Sequence, residues 1–173
     1  KYFLEANGRY DLSSKFPKDY RSGFFPSVSV GWGIHNEKFM EDTRNVLSNL
    51  KLRGSYGTLG NQNIGAYGYF ASMGVATANW ISEGMRPTTL TPPGMVRANY
   101  TWEKVTTVNG GLDFGFINNR LTGTLDVYRR DTKGMLGPGE DLPAVGGATA
   151  PQQNAADMKT IGFEFGLNWR DQI

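Results

Sequence analysis

Apolar and polar side chains alternate along most of this chain, and the clearest alternation folds back on itself. Counting outward from Asn118-Asn119, Phe116 faces Leu121, Phe114 faces Gly123, Leu112 faces Leu125 and Gly110 faces Val127. The positions between pair Gly115 with Thr122, Asp113 with Thr124, Gly111 with Asp126 and Asn109 with Tyr128. Both strands put their apolar residues on one face, a register that a slip of one residue would destroy. Two adjacent asparagines tolerate the positive φ of a tight type I′ turn. The spacing predicts a β-hairpin from Trp102 to Met135. Its apolar face stops beyond Val108 and Val127, where Thr106, Lys104, Arg129 and Asp131 take over while alternation continues. An apolar band of about nine to eleven residues per strand matches a tilted strand crossing a bilayer. Strands of soluble proteins run nearer about five or six residues.

The rest of the chain extends the pattern. In residues 2–12, Tyr2, Leu4, Ala6 and Tyr10 oppose Glu5, Asn7, Arg9 and Asp11. After a turn-rich break, a strand from about Gly23 sets Val28, Val30, Trp32 and Ile34 against Ser27, Ser29, Gly31 and Gly33. From Asn36 to Asn49 the period changes, and Phe39, Met40, Val46, Leu47 and Leu50 predict a short amphipathic helix capped by Asn36. A strand over 50–59 follows. Residues 61–100 hold no sustained period, and 137–158 form a second irregular stretch with Gly137-Pro138-Gly139 at its start. A last strand sets Ile161, Phe163, Phe165, Leu167 and Trp169 against Thr160, Gly162, Glu164, Gly166 and Asn168. With the Asn118-Asn119 turn as the lower end, both long stretches fall at the upper end, and Trp32 and Trp169 lie near the lower rim. Short turns on one side, long loops on the other and rings at the rim are the habit of outer-membrane barrels.

Composition sharpens this without deciding it. Mean hydropathy is -0.43, and no run approaches the roughly 20 apolar residues of a membrane helix. A barrel escapes that test, because its inner face dilutes the hydropathy. With 18 basic and 16 acidic side chains the net charge is +2, which argues nothing about nucleic acid or acidic partners; no nucleic-acid partner is expected. There are 0 cysteines, which removes disulfides and thiolate metal sites. The chain opens in mid-pattern at Lys1-Tyr2-Phe3-Leu4 and reads as a piece of a longer protein, with any targeting segment outside it.

Several blocks resemble one family in its own order. They are Gly23-Phe24-Phe25-Pro26-Ser27-Val28-Ser29-Val30-Gly31-Trp32 with Glu37-Lys38-Phe39-Met40, then Leu50-Lys51-Leu52-Arg53-Gly54-Ser55-Tyr56-Gly57-Thr58-Leu59-Gly60-Asn61-Gln62. Trp102-Glu103-Lys104, 109–114 and 119–128 continue the match, followed by Leu142-Pro143, Ala150-Pro151, Asn154, Met158 and 162–165. Together these resemble the barrel of SusC/RagA-type TonB-dependent outer-membrane transporters. The resemblance implies an all-β fold: antiparallel up-and-down strands forming a segment of a transmembrane β-barrel, with a short periplasmic-side helix and long extracellular loops. Residues 1–173 would be a partial barrel domain of about six strands, where the family closes at about 22. The implied job is import of oligosaccharides or peptides across the bacterial cell outer membrane. The implied partners are a SusD-like lipoprotein lid, and TonB acting through a plug region that this chain lacks. An open sheet in lipid leaves unpaired edges costing several kcal/mol per group, so the missing strands must come from elsewhere. The alternative is a soluble carbohydrate-binding β-sandwich domain, in which the same apolar face packs on a second sheet.

Candidate sites follow from these faces. The barrel reading assigns Val28, Val30, Leu112, Phe114, Phe116, Leu125, Val127, Phe163 and Phe165 to lipid. Flat rings stack on sugars and loops carry recognition, so Tyr67, Tyr69, Trp80 and Trp102 are ligand-contact candidates, unless they brace the loop or meet the lid. Glu103, Asp113, Asp126 and Glu164 share the polar face and suggest a glycosidase pair, but a barrel interior is polar anyway, and no enzyme is expected. His35 is the one histidine and has no cysteine near it, Glu140-Asp141 falls far short of a calcium shell, and no metal or cofactor is expected. Asn99-Tyr100-Thr101 matches a glycosylation triplet by chance. Arg53, Arg129 and Arg130 could bind an anion, and Arg129 is equally placed to anchor at the membrane surface.

Overall fold

In the computed structural model, residues 1–43, 46–96, 101–137, 139, 143, 150–151 and 153–171 are described. Six long strands form one antiparallel sheet: β1 (Tyr2–Leu12), β2 (Ser22–Gly33), β3 (Leu47–Asn61), β6 (Glu103–Phe116), β7 (Leu121–Gly137) and β8 (Gln153–Trp169). Spatial order follows chain order, β1-β2-β3-β6-β7-β8, so the sheet is a plain meander. β4 (Gly74–Thr77) and β5 (Thr88–Thr91) pair as a separate small hairpin within the long upper stretch. Their four-residue strands, rich in Thr and Gly, are too short to show a period, which is why the pattern of residues 61–100 hides them.

The β6–β7 register is the one the asparagine turn requires, from Phe116 opposite Leu121 to Asn109 opposite Tyr128. The turn closes with the Arg120 N–H donating to the Ile117 carbonyl at 3.1 Å. Asn118 and Asn119 take φ of 53° and 61°, as a type I′ turn demands. Ile117 also sits at φ 53°, a conformation that strains a β-branched residue. Its N–H donates to the Val46 carbonyl at 3.0 Å, so the hairpin tip is pinned to the foot of β3.

Three expectations need correction. Within 36–49 the described residues form 3-10 turns, Ile34–Asn36 and Lys38–Thr43, and not an α-helix. None of their side chains is buried, and a stretch this short has no tertiary support for a full helix. β3 runs from Leu47 to Asn61, longer at both ends than 50–59. Residues 153–158 belong to β8, paired with the top of β7 as far as Gly137 opposite Gln153. A double register shift between Thr132 and Leu136 conceals this, because a bulge breaks the period-2 pattern. Gly134 occupies the bulge at φ 69°, where a side chain would be strained. Asp157 accepts its N–H at 3.0 Å, and the Asn154 carboxamide donates to its carbonyl at 2.7 Å.

The buried core is small and lies at the upper end of the sheet. Phe16, from the β1–β2 connection, is fully enclosed, with Phe25 and Trp102 against it and Ile64 and Leu136 alongside. Phe16 and Trp102 rings lie 4.9 Å apart, and Phe25 and Trp102 meet edge-on at 5.5 Å. The Trp102 indole N–H donates to the Arg21 carbonyl at 3.3 Å, and Arg21 Nε donates to the Phe16 carbonyl at 3.0 Å. Among the described residues no second sheet covers the main one, so the face that a β-sandwich would bury stays open.

Candidate functional site

The functional surface is the sheet itself, and its two faces differ in chemistry. Across the registers, one outward row reads Tyr2, Trp32, Leu52, Leu112, Leu125 and Phe165. In β1 and β2 the apolar stretch climbs from this row to Tyr10 and Phe24. In β6, β7 and β8 it extends below the row, to Phe116, Leu121 and Trp169, and ends above it at Val108, Val127 and Ile161. The centre of the band therefore slides by about one residue per strand. With ~3.3 Å per residue and ~4.8 Å between strands, that slope is a tilt of about 35°, the tilt of strands in a closed barrel.

All nine residues assigned to lipid lie on this outward face. Val30 and Val127 are each 53% exposed and Phe163 79%, while Leu112, Phe114 and Phe116 are half-buried among their neighbours. At the lower rim Trp32 stacks on Tyr2, with centroids 5.9 Å apart and planes 16° from parallel. The Trp32 indole N–H donates to Glu37 at 3.0 Å and draws its carboxyl below the usual carboxylate range. His35 lies there too, where Nδ1 accepts the Leu50 N–H at 3.3 Å. Arg129 marks the upper limit of the band and pairs with Asp131 at 2.9 Å.

The inward face carries one ion-pair network. Arg53 on β3 donates through Nε to Asp113 Oδ2 at 2.9 Å and through Nη2 to Asp113 Oδ1 at 2.9 Å, a two-pronged grip on β6. Nη2 also reaches Asp126 on β7 at 3.0 Å. Arg53 and Asp126 lie either side of Gly111, which pairs with both. A Cβ at Gly111 would stand 2.6 Å from Asp126 Oδ1 and 2.8 Å from Arg53 Cζ. The bridge thus crosses β6 only because position 111 has no side chain. The pattern of the chain placed these residues on one face but gave no sign that they meet. The sole available signal was a glycine flanked, through two registers, by opposite charges.

This geometry removes the glycosidase pair. One guanidinium engages both Asp113 and Asp126, so both carboxylates are committed to a bridge between strands and do not face each other across a substrate cleft. Glu103 stands at the top of β6, about 30 Å from Asp113 along an extended strand. Glu164 faces inward directly opposite Asp126. Arg130 also faces inward, opposite Thr160.

Of the loop aromatics, Trp102 is corrected. It is 5% exposed and belongs to the rim core, so it braces the wall and offers no platform. Tyr67, Tyr69 and Phe70 cluster, with Tyr69 and Phe70 centroids 4.5 Å apart. Tyr69 also takes a hydrogen bond from Arg21 at 3.4 Å. Tyr67 and Trp80 are open. Asn99, Tyr100, Glu140, Asp141 and Leu142 lie outside the described residues.

A tilted antiparallel sheet, apolar outside and polar inside, with a tight turn and a 3-10 connection below and the long 62–102 and 138–152 connections above, is a segment of transmembrane β-barrel wall. Residues 1–172 match the family model for the TonB dependent receptor-like β-barrel. The chain is 38% identical over 170 residues to TonB-dependent receptor SusC of Bacteroides thetaiotaomicron, covering 97% of this chain and 17% of that protein. A TonB-dependent receptor of Formosa agariphila is 32% identical over 171 residues, 99% of this chain and 17% of that one. Among solved structures, the RagAB peptide importer in its closed-closed state superposes with a TM-score of 0.83 at 34% identity, over 96% of this chain and 18% of that chain. The chain belongs to the TonB-dependent receptor family and spans about a sixth of the length of these relatives.

Proposed function

We propose that this chain is wall in an outer-membrane transporter of the SusC/RagA type, importing oligosaccharides or peptides. The remainder of the parent protein would supply the other strands that pair with β1 and β8, and a plug through which TonB acts. A SusD-like lipoprotein would close over the upper loops. The observation that carries the reading is the outward band, apolar in all six strands and sliding at the slope of a barrel. Its residues, Val28, Val30, Leu112, Phe114, Phe116, Leu125, Val127, Phe163 and Phe165, would contact lipid. Tyr67, Tyr69 and Trp80 are ring side chains that the upper connection offers to ligand or lid.

Spin labels in the full-length protein, reconstituted in vesicles, test this. Labels at Val30, Val127 and Phe163 should be accessible to oxygen and shielded from a water-soluble nickel chelate. Labels at Ser55 and Thr124, on the inner face, should show the reverse. Equal accessibility on both faces would place the chain outside a bilayer and refute the assignment.

A further inference from the structure

The outward face carries its charges in one place. The outward positions of β1, β2 and β3 run from Tyr2 to Leu12, from Trp32 to Ser22 and from Leu50 to Gly60 without a charged side chain. Among the described residues of the six long strands, every outward charge stands at the top of β6, β7 and β8. They are Lys104, Arg129, Asp131, Lys133, Asp157 and Lys159. In register, Arg129 lies between Val108 and Ile161, Asp131 between Thr106 and Lys159, and Lys133 opposite Lys104. The four cations are exposed, and strand geometry gathers them within an area about 10 Å wide and 13 Å tall. β6 and β7 are flanked by β3 and β8. On the reading above, further strands join at β1 and β8 and a plug lies on the opposite face. The outward surface of β6 and β7 is therefore the one the whole wall presents.

The charges do not balance among themselves. Lys104 and Lys133 are direct cross-strand partners, a placement in which like charges repel. Both carboxylates of the cluster are already engaged. Asp131 accepts from Arg129 Nε at 3.1 and 2.9 Å through its two oxygens, and Asp157 accepts the Gly134 N–H at 3.0 Å. Asp131 also sets a direction. It stands two residues above Arg129 and draws that guanidinium up, away from Val108 and Ile161, using Nε and leaving the Nη groups as donors.

An anion among Lys104, Arg129 and Lys133 turns this repulsion into bridging contacts, and a phosphate has acceptor oxygens for all three. Position decides where the phosphate comes from. Directly below, the exposed side chains of Val108, Val127 and Ile161 continue the surface as the top of the apolar band. A molecule with a phosphate head and acyl chains meets matching chemistry along its length, whereas free phosphate meets only flexible surface cations. The lower rim presents rings instead, at Tyr2, Trp32 and Trp169, so the cationic surface belongs to one leaflet.

We infer that Lys104, Arg129 and Lys133 form an outer-wall site for the phosphate headgroup of a membrane lipid in the leaflet at the upper rim. The acyl chains of that lipid lie over Val108, Val127 and Ile161, and Lys159 flanks its head. The inference rests on the transporter-wall reading above and deepens it by naming a lipid partner.

Quenching by brominated lipids tests it in the full-length transporter, reconstituted in phosphatidylcholine vesicles. A bimane label at Val108→Cys reports the site. A label at Val28→Cys, on the same row of β2, reports wall with no outward charge beside it. Brominated phosphatidylcholine should quench both labels. Brominated phosphatidic acid, with its phosphate monoester head, should quench the Val108 label at least about tenfold more effectively per molecule, and the Val28 label no more effectively. Lys104→Gln, Arg129→Gln and Lys133→Gln should each lower the preference at Val108 about threefold to fivefold, and the triple variant should bring it to parity. Lys51→Gln, which removes a cation from the inner face, should leave the preference unchanged. Heat-modifiable gel migration shows that each variant barrel is folded. Parity at Val108 in the unaltered protein, an equal preference at Val28, or a triple variant that keeps the preference each overturns the site. So does inorganic phosphate that removes the preference where chloride of equal ionic strength does not, which would make the ligand free phosphate. Absence of quenching by brominated phosphatidylcholine at both labels is a separate failure: it takes the wall out of lipid and refutes the transporter reading itself.

Discussion

Gly110 and Gly111 are neighbours on β6 with the same backbone environment and opposite fates on substitution. Alanine for glycine in a strand interior ordinarily stabilises by about 0.5–1 kcal/mol, because glycine loses more conformational freedom on folding. Gly110 faces outward and a Cβ there meets nothing within 4 Å, so Gly110→Ala should show that gain. At Gly111 the new Cβ would lie 2.6 Å from Asp126 Oδ1, which must retreat by about 0.8 Å to reach ordinary contact at 3.4 Å. That movement would break the 3.0 Å bond from Arg53 to Asp126. A charge-assisted hydrogen bond is worth about 1.5–3 kcal/mol when well shielded. With side-chain exposures of 34% for Arg53 and 19% for Asp126, a discounted value of about 1 kcal/mol is appropriate. Gly111→Ala should therefore be about 1–2 kcal/mol less stable than Gly110→Ala. Urea unfolding of the full-length protein in detergent measures the difference. A double-mutant cycle with Asp126→Asn isolates its cause: the two changes at 111 and 126 should couple by about 1 kcal/mol, whereas 110 and 126 should add. Equal shifts for the two glycines, or additivity at 111 and 126 within about 0.5 kcal/mol, would refute the crossing of the bridge over β6.

Other perturbations probe the rim and the turn. Trp102→Ala should cost about 3–5 kcal/mol, as for a large buried ring, and should speed proteolysis within residues 61–96, while Trp80→Ala leaves both unchanged. Asn154 exchanges two hydrogen bonds with the Thr101 backbone, at 3.3 and 3.1 Å, besides its bond to Gly134. Asn154→Leu should cost about 2–3 kcal/mol at roughly 1 kcal/mol per bond, with hydrogen exchange rising first at the tops of β6, β7 and β8. Ile117→Gly should raise stability by about 1 kcal/mol by relieving the left-handed backbone, and a loss would mean that the isoleucine side chain matters more than its φ.

Legibility in this chain tracked how local the determining physics is. The β6–β7 register could be read to the residue because a two-residue asparagine turn and a period-2 pattern both constrain it, and either alone would leave a slip possible. The band and its long loops were readable for the same reason, since membrane thickness imposes a length on every strand. The 153–158 part of β8 was lost where Gly134 inserts a bulge, because alternation is the only strand signal and a bulge interrupts it. The short helix over 36–49 failed differently: its apolar spacing was genuine, yet no surface of the sheet comes down to bury it. Trp102 looked like a loop ring, and only the fold shows that the β1–β2 connection brings Phe16 against it.

The inner face was the least legible part, and the reason is physical. The outward band repeats one apolar rule from strand to strand, so the outer face can be counted. No such rule acts inside. Arg53, Asp113 and Asp126 belong to three strands, separated by 60 and 73 positions from Arg53. Their meeting depends on two registers and one missing Cβ at once. Substitutions that leave the outward pattern intact can therefore change what the inner face grips without altering the fold, and Gly111 is where that separation can be measured most directly.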